Sequence, residues 1–78
     1  MTRGKVVVAS VFVRTALDEA EQLLTIREFG GARAQCFAAY LGMIEDAGHP
    51  RDVAQHPLFA RYQSIRQQAI AGMRERGE

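Results

Sequence analysis

The chain predicts a mainly α-helical fold in one small domain over residues 1–78, with three helices at about 16–28, 32–47 and 57–75 and one N-terminal β-strand at about 5–13. Three observations carry this reading. Lys5–Val13 holds five valines and a phenylalanine, and β-branched side chains favour an extended backbone over a helix. Apolar residues then recur at helical spacing to the end of the chain. Glycine and proline punctuate that spacing at Gly30-Gly31, at Gly48-His49-Pro50 and at Pro57.

The strand is apolar on both faces and has no second strand to pair with, so it predicts association with another copy or another protein. A competing all-α reading joins residues 5–28 into one long helix, because Val6, Ala9, Val13, Ala16, Leu17, Ala20 and Leu24 share one helical stripe. Valine's low helix propensity and a capping signal at Thr15, with Asp18 three residues on, favour the strand. Gly30-Gly31 should separate the first two helices. In the second helix Phe37, Tyr40, Leu41 and Ile44 form the expected core stripe, with Cys36 and Met43 on its flank and Glu45, Asp46 and Gln35 toward solvent. Gly48 supplies a left-handed stop and Pro50 forbids continuation. A short turn around Val53 and Pro57 at the first position of the third helix complete the plan. That helix carries Leu58, Tyr62, Ile65, Ala69 and Met73 as its stripe, widened by Phe59 and Ile70.

Composition narrows the function classes. The net charge of +1 is too small for a strongly basic nucleic-acid domain, and nine of the ten basic residues are arginine, a side chain suited to directed interface contacts. One cysteine excludes an internal disulfide. The short apolar start is followed by Arg14 and Asp18 where a signal peptide would need small residues, and an intracellular, cytoplasmic protein with no membrane contact is expected.

Catalytic and metal signatures are weak. Cys36, His49 and His56 lack the spacing of a zinc site, and Cys36 reads as a small core hydrophobe. Asp52 and His56, four apart, suit a surface hydrogen bond or cap, and Gly30-Gly31 lacks the residues that complete a phosphate loop. No enzyme activity, cofactor or metal is expected. Ala34, Ala38 and Gly42 form a row of small side chains; alanine's helix propensity accounts for two of them, while a mid-helix glycine points to a close packing contact.

The order of elements over residues 5–47, with Gly31-Ala-Arg33 in the turn, is similar to ribbon-helix-helix repressors, in which paired strands of a dimer enter the DNA major groove. That resemblance implies base contacts from alternate strand positions, and here only Lys5, Ser10 and Arg14 have side chains to make them. The favoured expectation is a protein–protein interaction module, self-associating, working as an accessory subunit or as an inhibitor that occupies another protein's surface, of bacterial, phage or mobile-element type. A dimeric DNA-binding regulator is the alternative. Val8, Met43, Phe59 and Ile70 are the expected partner-binding residues, and Phe37, Leu41 and Ile44 the expected core.

Overall fold

The computed structural model describes residues 7–77, and it is mainly helical: α1 (Val11–Thr25), α2 (Phe29–Ala47), a 3-10 turn (Pro50–Gln55) and α3 (Phe59–Glu75). No strand occurs among the described residues. Of the expected strand, Lys5 and Val6 lie outside the described residues, residues 7–10 run without regular structure, and residues 11–13 belong to α1. The reason is local. Ser10, not Thr15, caps the helix, its Oγ accepting from the Val13 N–H at 3.3 Å. Burial of Val13 then outweighs valine's weak helix propensity. The stripe of the all-α reading is the one used: Val13, Ala16, Leu17 and Ala20 are buried and Leu24 packs on them.

The chain reverses after α1 at Arg27, not at the glycines. Arg27 takes a left-handed backbone (φ 64°), its N–H bonds to Leu24 O at 3.0 Å, and the Glu28 N–H bonds to Leu23 O at 2.8 Å. These two bonds close a Schellman motif around a non-glycine residue. Gly30 and Gly31 therefore fall inside the first turn of α2, where Gly31 lies under Leu23: an added Cβ would come 3.3 Å from its Cδ1.

Side-chain contacts fix the topology. Residues 12 and 13 meet Gly42 while Leu23 meets Gly31, so α1 and α2 are antiparallel. Phe29 meets Gly72 while the Tyr40 and Tyr62 rings stack at 5.7 Å, so α2 and α3 are antiparallel as well. Both glycines permit approaches that no Cβ would allow. An added Cβ would stand 2.8 Å from Phe12 and Val13 at Gly42, and 2.5 Å from the Phe29 ring at Gly72. Phe29 is further held by the Arg27 and Arg76 guanidinium groups, 5.4 and 5.7 Å from its ring centroid.

The core differs from expectation on α2. Its buried residues are Phe29, Ala32, Cys36, Ala39, Gly42, Met43 and Ala47, whereas Phe37 is 63% and Leu41 48% exposed and Ile44 only partly buried. The buried face is turned roughly a third of a turn from the bulky stripe, toward the flank holding Cys36 and Met43. Small side chains let the helices approach closely, and Leu17, Met43 and Ile65 fill the space that remains. The stop at Gly48 is as expected, with φ 87° and its N–H on Ile44 O at 2.8 Å, and Val53 is buried by the 3-10 turn. Pro57 precedes α3, which starts two residues later than expected.

Candidate interaction surface

Two polar clusters come from residues far apart in sequence. In the first, Asp46 near the end of α2 accepts from the Ser10 backbone N–H and from His56 Nε2 through the same oxygen, each at 2.9 Å. His56 is buried, and its Nδ1 accepts from the Leu58 N–H at 3.0 Å, which places the ring proton on Nε2. Burial pushes the Asp46 carboxyl up, but the hydrogen bonds from His56 and Ser10 outweigh it and hold it below the ordinary carboxylate range. Asp52 is thus not the partner of His56, and Asp46 is not a solvent-facing residue, because the reversal after Gly48 folds His56 back over the end of α2. Chemically the cluster is a latch. An Asp–His pair resembles the orienting half of a catalytic triad, yet both ring nitrogens are already engaged, leaving none to take a proton from a substrate.

In the second cluster Arg61 on α3 reaches Asp18 and Glu21 on α1, pinning these two helices at an exposed edge. His49 is separate from both. It caps the 3-10 turn, its Nδ1 accepting from the Arg51 N–H at 3.1 Å.

Cys36 lies 1% exposed at the bottom of a hollow with Arg33, Phe37, Tyr40, Tyr62 and Arg66 around it. Burial pushes its thiol pKa up, and nearby Arg66 only partly opposes this, so the thiolate that nucleophilic or ligand chemistry needs is disfavoured. No group of three His, Cys, Asp or Glu suited to a metal ion occurs among the described residues.

The distinctive surface is apolar. Phe37 and Leu41 project from the outer face of α2 over a floor of Ala34 and Ala38, with Phe12 of α1, 58% exposed, beside one half and Met73 of α3 beside the other. Phe12, Ala38, Leu41, Gly42 and Glu45 enclose a hollow of about 290 Å³ between α1 and α2. A second hollow between α2 and α3 is lined by Gly30, Arg33, Ala34, Phe37 and Met73. Glu45 is the one carboxylate in these two linings, and neither lining pairs a nucleophile with a general base. What the face offers is apolar contact area, with Arg33 near one end and Glu45 near the other.

Of the expected partner-binding residues, Val8 is 71% exposed in the irregular segment that precedes α1. Met43 is fully buried among the monomer's own helices, so it is corrected to a core residue. Phe59 is partly buried, its ring 5.8 Å from Tyr62 and packed on the core. Ile70 is partly buried, one turn before Met73 on α3. The face built by Phe12, Phe37 and Leu41 was missed because a hydrophobicity ranking sends these side chains inward. The row Ala34-Ala38-Gly42 was the signal available. Its Gly42 end receives α1, and its Ala34–Ala38 end forms the floor of the open face.

No family model, no curated protein and no solved structure matches this chain.

Proposed function

We propose that the chain is a small protein–protein interaction module that presents the outer face of α2 to another protein, as an accessory subunit or as an inhibitor that occupies its partner's surface. One observation carries this reading: the core closes without Phe12, Phe37 and Leu41, which stay exposed side by side. Contiguous apolar area of that kind is a liability for a lone domain and a working surface for one that binds. No helix among the described residues is long and apolar enough to cross a membrane. The DNA-binding alternative gains no support, since the described residues contain no ribbon to enter a groove and residues 11–13 are helix.

A photo-crosslinking amino acid placed at Leu41, with Gln68 on the exposed side of α3 as control, tests the reading in cells that express the chain. Protein adducts of defined mass at position 41 and none at 68 are expected. Equal labelling at both positions, or adducts only with lipid at position 41, overturns it.

A further inference from the structure

We infer that the protein seated on this face is a second copy of the chain, docked with its α2 antiparallel about a two-fold axis level with Ala39. This inference rests on the interaction-module reading above.

The outer face is close to palindromic. Phe37 and Leu41 lie at equal distances on either side of position 39, and so do Arg33 and Glu45. A two-fold interface sets each residue against its mirror position, so an antiparallel pair places Phe37 on the partner's Leu41 and Arg33 beside the partner's Glu45, each contact made twice. A parallel pair would instead set arginine against arginine and glutamate against glutamate. Arg33 and Glu45 are exposed, and neither makes an ion pair with another described residue, so both are available at the rim. Ala34 and Ala38 keep the seam between the two helices low enough for the larger side chains to interdigitate.

The test is sedimentation equilibrium of the purified full chain over a concentration series, with circular dichroism to confirm that each variant keeps its helices. The wild type is expected to dimerise below about 100 μM. Phe37→Glu should abolish the dimer. Arg33→Glu and Glu45→Arg should each weaken it at least about tenfold, since each brings like charges together twice, and the double swap should recover most of that loss. A wild type that stays monomeric overturns self-pairing. A dimer that the double swap fails to recover, or that survives Phe37→Glu, overturns this register. Crosslinking keeps the two readings apart: a monomeric chain whose position 41 still labels another protein leaves the module reading standing, and one that labels none overturns both.

Discussion

The inner face of α2 begins with Phe29 and continues through Ala32, Cys36, Ala39, Gly42, Met43 and Ala47, and the outer face carries Phe37 and Leu41 over Ala34 and Ala38. Both faces are apolar, and from Ala32 onward the inner one is built mostly of small side chains, Met43 excepted, while Phe37 and Leu41 are on the outside. The difference shows that helix approach, not side-chain hydrophobicity, selects which face is buried. Three alanines, each fully covered, let α1 and α3 close on α2, while a face bearing Phe37 and Leu41 would hold them apart. Hydrophobic burial then comes from long residues on the neighbouring helices, Leu17 and Ile65 above all, and from Met43 between them.

The sharpest way to break this comparison is to truncate one large residue on each face. Met43→Ala should cost about 2–5 kcal/mol of folding stability in a chemical denaturation series, as cavity-forming changes do. Leu41→Ala should change folding of the monomer by no more than about 0.5 kcal/mol, with its main effect on association. Equal losses in dilute solution would mean that the outer face is part of the core.

Close approach is tested next. Gly72→Ala drives a methyl group into the Phe29 ring and Gly42→Ala drives one into Phe12 and Val13, so each should destabilise by about 1–3 kcal/mol even though alanine favours a helix. Phe29→Leu combined with Gly72→Ala should lose less than the sum of the two single changes. Strict additivity in thermal melts would remove the steric explanation.

Much of this was legible in the sequence and some was not, for identifiable reasons. Gly48 and Pro50 end α2 as read, because a left-handed glycine and a ring-locked proline act locally. The start of α1 was misplaced because two hydroxyl residues offer similar caps, and Ser10 wins through an additional bond from its N–H to Asp46, 36 positions away. The turn at Arg27 escaped because a residue with a Cβ occupies a position where glycine is the usual signal. The Asp46–His56 contact depends on a tertiary reversal, and no local spacing announces it. The core face of α2 was misplaced for the reason that separates its two faces: a helical wheel ranks residues by apolarity and does not register how near the neighbouring backbones come.

Acid titration sharpens the account at the end of α2, where both faces stop. Asp46 is held below its ordinary pKa in the folded state, so the stability it contributes is present above about pH 4 and is lost as the pH falls through its lower folded value. Asp46→Asn should cost about 1–3 kcal/mol at neutral pH. Melts of the variant should fall less steeply than the wild type between neutral pH and pH 3, and parallel curves would show that the latch does not govern acid stability.

The smallest effect is expected at the exposed ion pairs. Arg61→Ala should cost no more than about 1 kcal/mol, less in high salt, because Asp18 and Glu21 remain half or more exposed. A loss comparable to Met43→Ala would place the α1–α3 edge among the determinants of the fold and weaken the primacy of α2's inner face.

The buried position of Cys36 gives the protein a built-in clock. It is the sole cysteine in the chain, 1% exposed at the bottom of the hollow between α2 and α3 where Tyr62 and Arg66 stand around it. A thiol reagent has to wait until the side chains around that hollow, or α3 itself, move aside, so its modification rate counts openings of the α2–α3 seam without an added label. Anything that clamps the outer face of the same helix should slow that clock in proportion to how tightly it holds, turning occupancy of one side of α2 into a chemical signal on the other.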